Sequence, residues 1–223
     1  MRRSANLPLA QIRDLSFTSA RSDQPSLTGI DVTLFAKRLS ILVGPTGCGK
    51  STFALSLNGL IPNIVGGQMK GRVVVDGFDT RDHPVYEMAT KVGLLFQDPE
   101  AQLCNLFGED EIAFGCENLK IRPQEIAARI KEVAQILGME GILHTPVHSL
   151  SLGQKQRIAL AAVLAMKPRL LVLDEPLSNL DPQTGMALIR TIDRRFRDPF
   201  DGVLFVNRGG EFTLRSIAAY GTQ

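Results

Sequence analysis

Residues 39–52 read LSILVGPTGCGKST: an apolar run, then G-x-x-x-x-G-K-S, and a second apolar run, FALSLNGL, follows at once. Gly44, Gly47 and Gly49 let the backbone curl so that successive N–H groups turn toward one point. The start of the next helix adds the positive end of its dipole. Such a turn receives phosphate oxygens. Lys50 then reaches the β- and γ-phosphates of a nucleoside triphosphate, the Ser51 hydroxyl ligates Mg²⁺, and Pro45, Thr46, Cys48 and Thr52 complete the wall. A plain glycine-rich connection would explain the turn but neither the full spacing nor its strand–turn–helix setting. Cys48 has two readings there, packing or a reactive thiol.

Residues 169–182, RLLVLDEPLSNLDP, run from apolar positions into two acids and a proline. An apolar strand buried on both faces is cheap in its interior, but carboxylates at its carboxyl end must be hydrated, paired or bound to metal. In an open parallel sheet that end is where ligands sit. Asp174 is therefore assigned to Mg²⁺, through water, and Glu175 to the water that attacks the γ-phosphate, as general base or orienter. Asp181 before Pro182 reads equally as a nucleotide-site residue and as a helix cap.

Residues 148–176, HSLSLGQKQRIALAAVLAMKPRLLVLDEP, narrow the class. The stretch LSLGQ (residues 150–154) resembles the LSGGQ signature of ABC-type ATPases. It stands a short helix ahead of the acidic strand, in the order phosphate loop, Gln97 after a strand, signature, acids, SNLD turn. The resemblance implies that two such chains pair head to tail and bind ATP and Mg²⁺. Ser151, Gly153 and Gln154 of one chain then meet the γ-phosphate on the other's loop, and Gln97 approaches the metal and the attacking water. Leu152 stands where the family has its first glycine. Residues 96–119, FQDPEAQLCNLFGEDEIAFGCENL, resemble the matching region of the ATPases of energy-coupling factor (ECF) transporters, which take up vitamins or transition-metal ions. That likeness implies an integral membrane partner whose coupling helix lies in a groove beside the acidic-aromatic segment. Glu109, Asp110, Glu111 and Glu117 also read as a solvated helix face.

Three departures from the family pattern accompany the match. Asn207 and Arg208 fill the place of a strand-end histidine that contacts the γ-phosphate, and a guanidinium only donates where an imidazole both donates and accepts. Ser19 stands near the position of an adenine-stacking aromatic, with Phe17 two residues earlier as a substitute on the same face. The chain ends at Gln223, short of the last strands the family leads one to expect, as a fragment or half of a duplicated protein would. The expectation is a site that binds Mg-ATP and turns over slowly, in an asymmetric pair with a fuller ATPase subunit.

The elements that must carry these residues are strand-like runs at 12–17, 30–34, 39–43, 72–75, 92–96, 170–173 and 203–206, several alternating with helical stretches. An Asp-Gly turn closes GRVVVDG at residue 77. The clearest helix, PQEIAARIKEVAQILG, places Ile126, Ile130, Val133, Ile136 and Leu137 on one face and Gly138 at its stop. With the family resemblance, the fold expected is α/β: a P-loop NTPase (RecA-like) core with a mostly parallel sheet, an antiparallel β subdomain and a helical insertion. The whole chain, 1–223, reads as one ATPase domain. Residues 1–96 and 151–223 form the core, and 97–150 form the helical subdomain with the signature at its end.

Bulk properties exclude other classes. The formal charge of +2 favours no polyanion globally. No basic patch interleaved with aromatics offers a track for nucleic acid. Three cysteines without a C-x-x-C pair argue against a disulfide scaffold or zinc site and for the cytosol. No apolar run is long enough to span a bilayer, so the expected location is the cytoplasmic face of the cell membrane, held there by a partner. Two other functions stand beside the transporter ATPase: a nucleotide-dependent dimerisation module without significant hydrolysis, and a non-transport ABC ATPase.

Overall fold

The computed structural model describes residues 7–176, 202–208 and 217–220. Asp181 and the SNLD turn lie outside them. Two compact units emerge: Met1–Leu94 with Arg169–Asp174 and Phe200–Gln223, and Leu95–Pro168 with Glu175–Pro199.

The first unit holds two sheets. β1 (Pro8–Ser19), β2 (Leu27–Phe35), β4 (Gly67–Val75) and β5 (Phe78–Asp79) form an antiparallel sheet in the order β2-β1-β4-β5. Its inward positions, among them Ile12, Leu15, Leu27, Val73 and Val75, are buried. The Asp-Gly turn between β4 and β5 has φ of 50° at Asp76 and 85° at Gly77. Positive φ at both central residues matches the right-handed strand twist, so a two-residue loop suffices.

The second sheet has the order β6-β7-β8-β3-β9, from β6 (Val92–Leu95), β7 (Leu170–Asp174), β8 (Gly202–Arg208), β3 (Arg38–Gly44) and β9 (Ile217–Tyr220). β8 runs parallel to both β7 and β3, and β9 is antiparallel to β3. All five residues of β7 are buried, as a strand inside a covered parallel sheet requires. Helix α1 (Lys50–Leu57) packs on β3, β7 and β8 through a face that includes Phe53 and Leu57. The short helices α2 (Leu60–Asn63) and α3 (Val85–Met88) complete the unit. Two sequence expectations change: β8 runs two residues past the apolar positions 203–206, and one further strand, β9, follows it.

Asp79, at the end of β5, is a buried carboxylate that accepts the Arg72 Nε–H at 2.7 Å and the Arg81 backbone N–H at 3.0 Å. Burial pushes its pKa up, but the Arg81 amide and the Arg72 and Arg81 guanidinium groups outweigh it and leave the pKa below the ordinary value. A depressed folded-state pKa stabilises above the unfolded pKa, about 3.9 for Asp, and the gain is lost as pH falls through the folded value. Asp79→Asn should therefore lower the urea midpoint at pH 7, and the gap to the parent should close below about pH 4. A gap that stays constant with pH would mean the charge contributes nothing.

The second unit is helical: α4 (Gly108–Asn118), α5 (Pro123–Leu137) and α6 (Leu152–Ala165), packed together through Ile112, Ile130, Val133, Ile158 and Leu164. Pro123 opens α5, and Gly138, at φ 60°, ends it. Both ends of α6 are tied. Ser151 and Gln154 form a capping box at its start. At its other end the Ala165 carbonyl accepts Arg129 Nη1–H at 2.7 Å, from α5, and the Cys116 thiol at 3.4 Å, from α4.

Candidate nucleotide site

In the first unit, β3 delivers the chain into a loop whose glycines take backbone angles closed to other residues. Gly47 has φ 82° and Gly49 φ 94°. A Cβ on Gly49 would lie 2.3 Å from the Ser26 backbone oxygen and 2.9 Å from Leu27 Cδ2, so both the angle and the space demand glycine. Pro45, Thr46, Gly47 and Ser51 are exposed along the loop. Lys50 opens α1 with only 5% of its surface exposed, and its ammonium donates to the Gly44 and Pro45 carbonyls at 2.8 and 2.9 Å. The charge is thus folded back over the loop's own backbone. Left-handed turns ahead of a helix start make a concavity for an anion.

The neighbouring strands bring their carboxyl ends alongside. The backbone of Asn207 pairs with Val43 and that of Arg208 with Gly44, while Asp174 pairs with Val206. The strand edge that lacks the family histidine thus starts the same row as the phosphate loop. Asp174, buried at 6% exposure, ends β7 in that row. Ser51 and Asp174 are hard oxygen donors of the type Mg²⁺ selects. Among the described residues no cluster of three His, Cys, Asp or Glu could hold a metal alone. A cation completed by substrate phosphates and water fits that donor set.

In the second unit, the Gln97 Nε2 amide donates to Glu175 Oε2 at 3.0 Å, across 78 positions of sequence. Glu175 is buried, and its φ of 48° is left-handed, a strained geometry for a side chain of its size. The segment after Gln97 is held in place by its own polar groups. Asp98 caps the 3₁₀ turn Pro99–Ala101, and Gln102 Oε1 accepts the Phe96 N–H at 3.0 Å.

The signature residues sit at the start of α6. Ser151 Oγ accepts the Gln154 N–H at 3.3 Å, and Gln154 Oε1 accepts the Ser151 N–H at 2.8 Å. Leu152 stands 44% exposed beside them, and Gly153 is half-buried. Lys155, one residue past the box, pairs with Glu100.

Glu111 departs from the reading of a solvated acidic face. It is 5% exposed, and its Oε2 accepts the backbone N–H groups of Cys104 and Asn105 at 2.9 and 2.8 Å and the Asn105 side-chain amide at 3.0 Å. The loop so held borders a cavity of about 250 Å³ lined by Leu103, Cys104, Leu106, Val147 and His148, with the Glu100–Lys155 pair at its edge. Burial first, and Glu111 second, push the Cys104 thiol pKa up.

Phe17 is also corrected. At 2% exposure its ring lies in the core of the antiparallel sheet against Gly67, so it offers no open face to a base. Ser26, whose carbonyl sets the limit at Gly49, carried no signal in the sequence.

A glycine turn shaped for an anion at a helix start, with a buried carboxylate at the end of a parallel strand in the same sheet, is the arrangement of a nucleotide-binding α/β protein. The ABC transporter family model matches residues 27–178. A relative from Pyrococcus horikoshii, provisionally named an ABC transporter ATP-binding protein, is 45% identical over 204 residues, covering 92% of this chain and 72% of its own. One from Methanosarcina acetivorans with the same kind of name is 38% identical over 192 residues, 86% of this chain but 30% of its own. Among solved structures, cbiO1 of Clostridium perfringens, part of the ABC transporter complex cbiONQ, superposes with a TM-score of 0.76. It is 26% identical, over 91% of this chain and 79% of that one. The chain belongs to the ABC transporter family, as an ATP-binding subunit and ATPase.

Proposed function

We propose that this chain powers an ECF-type importer of a vitamin or transition-metal ion. It binds Mg-ATP at the loop around Lys50, pairs head to tail with a second ATPase subunit, and works on the cytoplasmic face against an integral membrane subunit. Among the described residues no helix is long and apolar enough to cross a membrane, so the span is assigned to that partner. The observation carrying the reading is the segment that follows Gln97. One end of it holds the Glu175 carboxylate, and a stretch a few residues further on lines a half-apolar cavity of about 250 Å³. The likeness to cbiO1, part of a transporter complex, supports the ECF class.

In this reading Gly44–Thr52 and the N-terminus of α1 take the triphosphate, and Lys50 exchanges its two carbonyl partners for phosphate oxygens. Ser51, Asp174 and Gln97 would hold Mg²⁺, which would supply charge neutralisation for the triphosphate. Glu175 accepts the proton of the attacking water, or orients that water, with its carboxylate aimed by Gln97. Ser151, Gly153 and Gln154 serve the partner's nucleotide, and Leu152 narrows that approach. Asp181 remains assigned to the site from the sequence alone.

The chain's own site is slow because Arg208 stands in place of a histidine. Losing one preorganised partner of this kind costs roughly 10² to 10³ in rate. Phosphate release should accordingly be slow for the isolated chain and rise with Arg208→His. Brisk release by the parent chain defeats the slow-site reading. ATP-driven dimerisation without phosphate release, even beside the membrane subunit, would select a regulatory dimerisation module instead.

A further inference from the structure

Glu111 is a carboxylate buried inside the first turn of α4, with three N–H donors converging on one of its oxygens. The loop at Cys104 and Asn105 receives it. That loop returns toward α4 seven residues before Glu111, and its far side is fixed independently. The Val147 N–H donates to the Leu106 carbonyl at 2.8 Å, and Phe107 bridges to Pro146. The wall of the cavity is therefore clamped on two sides, by a charge and by backbone. Leu106 is left 58% exposed at its rim.

We propose that Glu111 is a positioning residue for coupling. By fixing residues 104–106 it holds ready the wall against which an apolar helix end of the membrane subunit seats. This rests on the reading of the cavity as the membrane subunit's dock. A solvated acid could be exchanged for glutamine without effect. A buried carboxylate accepting three N–H bonds cannot, because charge-assisted bonds are about twice as strong as neutral ones.

The test uses the full chain and the membrane subunit that co-purifies with it. Three quantities are compared in the parent, Glu111→Gln and Glu111→Asp: amide exchange at Cys104 and Asn105, the rate of Cys104 alkylation by maleimide with and without the membrane subunit, and affinity for that subunit. ATP affinity measured in parallel reports any general loss of fold. The expected result is exchange at the two amides roughly 10- to 100-fold faster in Glu111→Gln, with affinity for the membrane subunit about tenfold weaker. ATP affinity should hold, and Glu111→Asp should recover part of both losses. Unchanged exchange in Glu111→Gln overturns the clamp, and faster exchange with undiminished membrane-subunit affinity overturns its role in positioning. If the membrane subunit fails to slow alkylation of Cys104 in the parent chain, the dock is elsewhere. The reading of the cavity then falls and takes this inference with it, whereas in the other two failures that protection persists.

Discussion

Replacing Glu175 by glutamine should cut ATP turnover roughly 10²- to 10⁴-fold, the range of a lost general base, while ATP still binds. Glutamine keeps the length and shape of the side chain, and its amide oxygen can still accept the Gln97 Nε2–H that now reaches Glu175 Oε2. The buried site is therefore left packed and bonded, and what disappears is the capacity to take a proton. Single-turnover phosphate release with the chain in excess of ATP separates this step from product release, and an equilibrium titration of labelled ATP shows that binding survives. Turnover within a few-fold of the parent would move the proton acceptor to another group. Lost binding would mean the carboxylate is needed for the ground state.

The second large effect belongs to Gly49. An alanine there meets the Ser26 carbonyl at 2.3 Å in a backbone with φ +94°. That oxygen is backbone and cannot swing aside as a side-chain tip could, so the loop or the β1–β2 connection must move. Left-handed strain adds about 1–2 kcal/mol to an overpacking cost of about 1–3 kcal/mol. Gly49→Ala should thus lose about 2–5 kcal/mol of stability and weaken ATP binding by at least about 100-fold. Gly47→Ala is the control, since φ is also positive, +82°, but nothing lies within 4 Å of the added carbon. It should cost only the strain, about 1–2 kcal/mol. Urea unfolding and nucleotide titration on both variants check the pair, and equal losses would show that the angle alone matters.

Much of this was readable from sequence because its physics is local. The phosphate loop, the Asp76–Gly77 turn and the end of α5 at Gly138 each follow from what glycine permits next to a periodic apolar run. The strands at 39–43 and 170–173 lie in one sheet, each with its polar chemistry at the carboxyl end. What escaped depended on contacts that residue types do not announce. The amides that Glu111 accepts lie only six and seven residues upstream, but no turn signal marks that loop as folding back onto the carboxylate, so the bland reading of a charged helix face was the natural one. Phe17 alternates with Ser19 through unbroken pairing, Phe17 with Met69 and Ser19 with Gly67. Alternation tells which side chains share a face but not what covers that face, and here Phe17 is packed against Gly67. The contact of Gly49 with Ser26 joins positions 23 apart whose types predict no meeting.

Helix α6 is tied at both ends: a side-chain box closes its start, and groups on α4 and α5 both hold the carbonyl of its last residue, Ala165. Fourteen residues at 1.5 Å each make a rod about 21 Å long. Fraying would let such a rod shorten under a push at one tip; with both terminal turns fastened, its length is held from Ser151 to Ala165.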